Sequence, residues 1–549
     1  PMHACCLRTN NTSATMHEAI FAKHCAWANT WTWKKAHRSS GADISSNTCM
    51  AQARGDASCA DRQAEEASRL LQEVPGVERA WARHPGTVGV VLSGSALWQL
   101  SLQNNAQPWQ SPEPVLWLLD YGIVAPFEVV GLTQAREGIL GDTLARAAAL
   151  AGHRVVRQRL VLNTGRHVVF LTKALQLHMQ ALEQNIPVDY TCLPGAVGIA
   201  KIRMPRALPR GALMQTLAEQ AHRMGVRSID EDGIEAFAVS TIMALQEEGF
   251  SQLRVEFDTT LLSSELEPSI ERVLDEWSHA GHTHREEESV MFHGPSFGAP
   301  NEIVAVTRRA TPTYFVQRVA HHMEQLRRAP ARVVTVRDAG HAGLARNTHI
   351  GLQALNLDST ALMYFLVHDV QDSSTQLMRT KRSVGLNDAI KMLGVNGLRL
   401  ALLKSSSNRT LRVEAKPWMA CTKHEDKSMY DAYVKAHAVV QEHFGGVAAM
   451  QAGPIAHAAK PLLMALLRWP QRLQAALDHN NPSMIHRHAL ELVGLVHKTY
   501  AQVPMQELEG AGMEAMGTAW SLAADQLRTV FDTMGLDAME WETRYSVKS

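Results

Sequence analysis

The stretch from Pro114 to Leu162 constrains the fold more than any other part of the chain. Pro114 to Leu119 is an almost unbroken apolar run, the pattern of a strand buried on both faces. After it, Ile139, Leu140, Leu144, Ala147 and Ala151 recur at helical spacing, and Gly152 stands where a left-handed cap would end the helix. Val155 to Leu162 then resumes as a strand. Strand, helix and strand within about 50 residues make a βαβ unit, which commits this region to a parallel sheet with a helical crossover.

Other segments extend the pattern. Val88 to Leu92, behind Pro85-Gly86, reads as a strand after a charged helical stretch from Asp61 to His84 with Leu70, Leu71 and Val74 on one side. Strand signals return at Leu253 to Phe257, Ile303 to Thr307 and Arg332 to Val336, alternating with helical stretches at Ile270 to Trp277 and Phe315 to Leu326. Residues 205–250 are helical and polar-faced, as an insertion between two halves of a sheet would be. Beyond about Trp418 only helical periodicity remains, as in Ile485, Ala489, Val493, Val496, Tyr500 and in Met516, Ala519, Ala523, Leu527, Val530, Met534 before Gly535. The predicted class is α/β: a doubly wound, Rossmann-type parallel sheet domain followed by an all-α helical bundle. The predicted divisions are a tail over residues 1–60, a reduced α+β domain over 61–113, the sheet domain over 114–403 and the helical domain over 404–549.

Charge narrows the range of partners. Lys plus Arg and Asp plus Glu both number 54, so the chain lacks the basic excess of a protein that wraps phosphate backbones. The most apolar windows, such as Leu462 to Leu467, are short and flanked by Lys and Arg, which argues against a membrane span. The first part of the chain is acid-poor and Ser-rich: up to Arg54 it holds Glu18 and Asp43 against Arg8, Lys23, Lys34, Lys35, Arg38 and Arg54. That composition fits a mitochondrial, matrix-directed targeting segment, with an ordinary disordered or partner-docking tail as the alternative reading and a cytoplasmic location as the alternative place. Cys5, Cys6, Cys25, Cys49 and Cys59 crowd into this region, and Cys192 and Cys421 are the others. Cys49 and Cys59 have a spacing used by helical disulfides, but no second such pair accompanies them, and a zinc site lacks the short ligand pairs that such sites use.

The motifs resemble one family. Pro85-Gly86-Thr87-Val88-Gly89-Val90-Val91-Leu92-Ser93 is similar to the "PGFIN" segment of arginyl-tRNA synthetases, and Ala125-Pro126 through Asp142 aligns without a gap on the segment from "NPTG" through the HIGH motif to "GD". Leu162-Asn163-Thr164-Gly165 resembles "NDAG" and Arg254-Val255-Glu256-Phe257-Asp258 resembles "RVEFD". Ser296-Phe297-Gly298, Thr311-Pro312-Thr313-Tyr314 and Ala436-His437-Ala438 follow in the family's order. The resemblance implies a class I synthetase-like sheet domain and an anticodon-binding-like helical domain.

At the positions where the family carries its chemistry, the residues differ. HIGH falls on Gly131-Leu132-Thr133-Gln134, so both histidines are absent. The KMSK loop is best matched by Met378-Arg379-Thr380-Lys381-Arg382, with Lys381 the surviving lysine. The "GADHHG" loop becomes Asp338-Ala339-Gly340-His341-Ala342-Gly343, keeping His341 and losing the acid at Gly340. In the family that this chain resembles, arginine selection uses an acid four positions after the tyrosine that matches Tyr314, because a guanidinium needs an anionic bidentate partner, and here that position is Arg318, whose like charge would repel the substrate. Asp120 matches a second acidic pocket residue, and Ala125 replaces an orienting Asn.

These departures lead to an expectation of a pseudo-enzyme with no catalytic residues, no cofactor and no ATP binding, because each lost transition-state donor costs roughly 100- to 1000-fold in rate. The expected role is a structural scaffold among protein subunits of a larger assembly, either a mitochondrial ribosome or a respiratory complex. An RNA-binding regulator and a divergent active arginine–tRNA ligase are the alternatives. No metal is expected: His279, His282, His284 and His293 read as solvated surface histidines, and His321-His322 as packing.

Overall fold

The computed structural model describes residues 33–35, 42–53, 56–106, 110–111, 113–190, 202–372, 385–413, 415–446 and 459–545. The chain forms two compact units, one from residues 1–114, 150–152 and 423–549, the other from 115–149 and 153–422.

The first unit opens with β1 (Trp33–Lys35), β2 (Ile44–Ser46), helix α1 (Ala57–Gln72), β3 (Val77–Arg83), β4 (Thr87–Leu92) and helix α2 (Gly94–Ala106). The strands make an antiparallel sheet in the order β1-β2-β4-β3. The tight turn between β3 and β4 is pinned by Asp61 of α1, whose carboxylate accepts from Gly86 N and from His84 Nδ1, both at 2.8 Å. Of the predicted apolar face of α1, Leu71 and Val74 are buried and Leu70 is exposed. Cys49 is buried, Cys59 is half-buried, and neither forms a disulfide.

The second unit holds the strand–helix alternation. Its first half comprises β5 (Leu116–Asp120), α3 (Leu132–Leu150), β6 (Arg154–Val161), α4 (Arg166–Glu183), α5 (Ala212–Arg223), α6 (Glu231–Gln252) and β7 (Thr259–Leu262). Its second half comprises α7 (Glu267–His279), β8 (Thr283–Glu286), β9 (Ser289–Phe292), β10 (Ile303–Val306), α8 (Tyr314–Leu326), β11 (Arg332–Asp338), α9 (Ala342–Ala354), β12 (Leu362–Val367) and α10 (Leu386–Leu403). The main sheet runs β12-β11-β5-β6-β7 with every pair parallel. From β5 the chain winds outward through β6 and β7, then returns to the other side of β5 for β11 and β12. The winding reverses between β5 and β11, and the crevice outside the carboxyl ends of those strands is where open α/β sheets bind ligands. A second, antiparallel sheet has the order β8-β9-β10.

The predicted βαβ unit is present, with Gly152 at φ +84° after α3. Helix α3 lies very close to β5. A Cβ on Gly141 would stand 2.5 Å from Cγ of Tyr121, and one on Gly138 would stand 2.8 Å from the Phe250 ring. Gly141→Ala is therefore expected to destabilise this unit by about 1–3 kcal/mol through overpacking. The check is a lower urea midpoint with an unchanged denaturant slope.

Three local expectations are corrected. The helical reading of Asp61 to His84 holds only as far as Gln72, because Val77–Arg83 is strand β3, paired with β4. Leu253 to Phe257 is a turn and loop, not a strand, because Arg254 adopts φ +55° and Val255 N bonds back to Phe250 O at 3.0 Å. The alternating apolar residues there serve packing: Phe257 sits 5.1 Å from the Tyr121 ring and 5.3 Å from the Phe250 ring. Conversely, Leu362–Val367 is a sheet strand that the sequence reading passed over.

The first unit continues with α11 (Ala415–Phe444) from Lys423 onward, α12 (Lys460–Leu467), α13 (Trp469–Asp478), α14 (Ser483–Gln502), α15 (Gly510–Thr533) and α16 (Ala538–Tyr545), as the helical periodicity predicts. Met464 and Leu467 join Ile44, Leu71, Val90 and Leu97 in one core. The last helix is tied to α11 by Asp426, which accepts from Trp541 Nε1 at 2.5 Å and from the Tyr545 hydroxyl at 2.6 Å. Among the described residues no helix is long and apolar enough to cross a membrane.

Candidate functional site

The crevice at the reversal point is built from the last residues of β5 and β11 and the first turn of α3. Strand β5 ends on Asp120, which is fully buried. Its Oδ2 accepts from Arg337 Nη2 at 2.5 Å and lies 3.2 Å from His321 Nε2 and 3.7 Å from Arg318 Nη2. Burial works against the carboxylate, but Arg337, His321 and Arg318 overcome it and hold Asp120 well below the ordinary carboxylate range. Burial lowers the His321 pKa despite the neighbouring Asp120. The same nitrogen also lies 3.0 Å from Gln325 Nε2, so it stands between a carboxylate acceptor and an amide donor. Next to it, His322 Nδ1 donates to Gln325 Oε1 at 2.6 Å and its Nε2 accepts from the Tyr364 hydroxyl at 2.9 Å. The packing role expected for both histidines is thus a hydrogen-bonded one.

Arg318 sits one turn into α8 and is 1% exposed. The sequence reading set it against an incoming substrate as like charge. The structure turns it inward, onto Asp120 and 5.7 Å from the centre of the Tyr314 ring. Among the described residues its three guanidinium nitrogens make no well-aligned hydrogen bond, although Tyr364 and Asp120 stand beside it, and Asp120 Oδ1 accepts none. Buried polar atoms are nearly always hydrogen-bonded, so donors and an acceptor without well-aligned bonds mark a place for polar ligand atoms.

At the start of α3, Gly131 N donates to Gln134 Oε1 at 3.2 Å, and Thr133 Oγ1 accepts from Val370 N at 3.2 Å. Leu132 is the first residue of the helix. The carbonyl of Ala125 accepts from Gln246 Nε2 at 3.1 Å, fixing the loop that leads into α3. After β11, Asp338 Oδ1 accepts from Gly340 N at 2.8 Å, His341 Nδ1 lies 2.5 Å from Asp338 Oδ2, and the His341 ring centre is 6.3 Å from that of Tyr314. Lys381 lies outside the described residues.

Three participants were not anticipated. Arg337 was missed because the strand was read as ending at Val336, one residue short of the carboxyl end of β11. Glu137, one helical turn after Thr133, is buried and its carboxyl is pushed up to about 8 by that burial and by Asp338 and Asp369, against the opposing effect of Arg337. Helical spacing from the HIGH-aligned Thr133 was the available signal. Arg136 donates to the carbonyls of His368 at 2.6 Å and of Ser406 and Arg409 at 3.0 Å, stitching the segment after β12 to the segment after α10.

No family model matches the chain. Curated proteins similar in sequence are arginine–tRNA ligases. That of Salinibacter ruber is 24% identical over 72% of this chain and 74% of its own length. That of Delftia acidovorans is 23% identical over 79% and 82%, and that of Moorella thermoacetica 22% identical over 86% of each. Among solved structures, the arginyl-tRNA synthetase of Thermus thermophilus superposes with a TM-score of 0.72 at 14% identity, covering 93% of this chain and 96% of that one. The Plasmodium falciparum arginyl-tRNA synthetase gives 0.67 at 12% identity, covering 95% and 97%. The fold is arginyl-tRNA synthetase-like, a Rossmann-type domain with a helical domain, as the motifs imply.

These relatives overturn the expected pseudo-enzyme and scaffold subunit. They are named as ligases, and they align over most of both lengths instead of over a retained structural fragment. The HIGH-aligned segment and Arg318 do not decide activity by themselves, because Arg318 is turned inward onto Asp120 and Arg337 adds a further charged group beside it.

Proposed function

We propose that this chain, whose relatives and structural neighbours are arginyl-tRNA synthetases, is a divergent arginine–tRNA ligase. The observation that carries the reading is the buried pair formed by Arg318 and Asp120 at the reversal point of the sheet. An amino acid is a zwitterion. The Arg318 guanidinium, whose donors make no well-aligned hydrogen bond, suits its carboxylate, and Asp120 Oδ1, which accepts none, suits a cationic group. Both residues are covered in this structure, so ligand entry requires side-chain movement over them. ATP, whose binding the altered motifs argued against, becomes a required substrate. Its phosphates are assigned to the positive end of the α3 dipole at Leu132 to Gln134. The carboxylate oxygen would attack the α-phosphate with pyrophosphate leaving, and the acyl group would pass to a tRNA hydroxyl with release of AMP. The proposed partner is tRNA.

The test is charging of tRNA with labelled arginine by the full chain in the presence of ATP. Arginyl-tRNA should accumulate above a no-enzyme control. Arg318→Lys, which keeps the charge but loses the planar donor fork, should lower kcat/KM for the amino acid by roughly 100-fold. Product at background for the native chain would refute the reading.

A further inference from the structure

Away from the crevice, the antiparallel sheet β8-β9-β10 gathers three metal-binding side chains on one face. His284 lies on β8, His293 directly follows β9 and Glu302 directly precedes β10. The register explains their meeting. Thr283 pairs with Phe292 and Phe292 with Ile303, so His293 continues the ladder opposite Glu302, and His284 is its diagonal neighbour on the same face. His293 Nδ1 lies 3.2 Å from Glu302 Oε1, His284 Nε2 lies 3.6 Å from Glu302 Oε2, and one ligand atom from each residue falls within 4.8 Å of the others. The imidazoles stack with centres 4.6 Å apart and planes 17° apart.

We propose that His284, His293 and Glu302 form a binding site for a zinc-class divalent cation. Two imidazole nitrogens and a carboxylate are a borderline donor set of the kind that selects zinc and its neighbours over magnesium or calcium. Ligands about 2.0–2.2 Å from a tetrahedral zinc stand roughly 3.3 Å apart, so the two measured spacings to Glu302 need little adjustment. His284 gives up little on binding: its Nδ1 is buried with no partner among the described residues, and its Nε2 is beyond hydrogen-bond distance from Glu302. A modest rotation of the stacked rings would aim both toward a shared ion, and the fourth position is left for water. Such an ion would fasten the β8-β9 hairpin to β10. The sequence reading treated His284 and His293 as solvated surface residues, because Glu302 and the cross-strand register were not visible in it. His279 and His282 stay outside the cluster: His279 Nδ1 contacts Asp275 O at 2.8 Å, and His282 packs edge-on against Phe297.

The experiment is titration of the metal-stripped full chain with Zn2+, read against a competing chromophoric chelator, and with Co2+, read by its visible ligand-field absorption. His284→Ala, His293→Ala and Glu302→Gln are run beside the native chain. The sites are partly exposed, so the variants should fold, which circular dichroism checks. The native chain should bind one more tight equivalent than each variant. Affinity at that equivalent should fall at least as much as when a group supporting a metal ligand is lost, roughly 10- to 100-fold. The tetrahedral Co2+ spectrum should disappear in both histidine variants. Equal stoichiometry and affinity in native chain and variants would overturn the proposal, as would a native chain that binds no tight equivalent.

Discussion

Asp120→Ala is expected to remove about 3–5 kcal/mol of stability from the sheet-bearing unit, because it leaves buried cations without their carboxylate. Arg337 and Arg318 are each 1% exposed, so neither can turn to water. Arg337 also donates from Nη1 to Asp120 O at 3.1 Å and to Val336 O at 2.5 Å, which holds its side chain in place after the carboxylate is gone. The urea midpoint of the intact chain measures the loss, and hydrogen exchange in β5 and β11 assigns it to this unit. Asp120→Leu with Arg337→Met should recover part of the loss, since an apolar pair can replace a buried ion pair at little cost. Recovery stays incomplete because Arg318 remains. A midpoint for Asp120→Ala equal to the native one would mean that the two arginines are hydrated and the network is not buried.

The same network sets a pH dependence. Asp120 is depressed below its unfolded value, which is about 3.9. Its contribution is therefore present at neutral pH and is lost as pH falls below about 4 and through the folded value. Acid unfolding of the native chain should be steeper in that range than acid unfolding of the double variant.

How far this site was legible depended on the kind of pattern involved. β5, α3 and β6 could be read because periodicity and a capping glycine are local properties of the chain. Asp120 at the end of β5 and the HIGH-aligned start of α3 could be placed for the same reason, as neighbours of those elements. Arg318 and His321 could be named but not understood, and Arg337 was passed over, because their partners lie across the fold, as with the 217-residue separation between Arg337 and Asp120. The charge of Arg318 suggested repulsion only while its direction was unknown. The false strand at Leu253 to Phe257 has the same origin: alternation records which side chains are buried, and a loop packed on Tyr121 and Phe250 buries alternate residues without any ladder. The His284, His293 and Glu302 cluster required the register of three strands, which no local pattern encodes.

Glu137→Gln is expected to change how stability responds to alkali more than stability at neutral pH. The Glu137 carboxyl is pushed up to about 8, first by burial and then by Asp338 and Asp369, with Arg337 opposing. A folded value above the unfolded one means that its stabilising contribution is complete below about pH 4 and declines as pH rises through about 8. Gln copies the size and neutrality of the protonated acid and cannot ionise. The native chain should therefore lose roughly 2–5 kcal/mol relative to the variant between pH 5 and pH 9, read as diverging thermal midpoints. Parallel curves would place the Glu137 carboxylate in contact with water or a cation. The consequence reaches the crevice, because at neutral pH the protonated acid adds a donor near Arg337 in place of a second negative charge. Arginine charging by the native chain should then fall above about pH 8, while the Glu137→Gln variant keeps its rate through the same range.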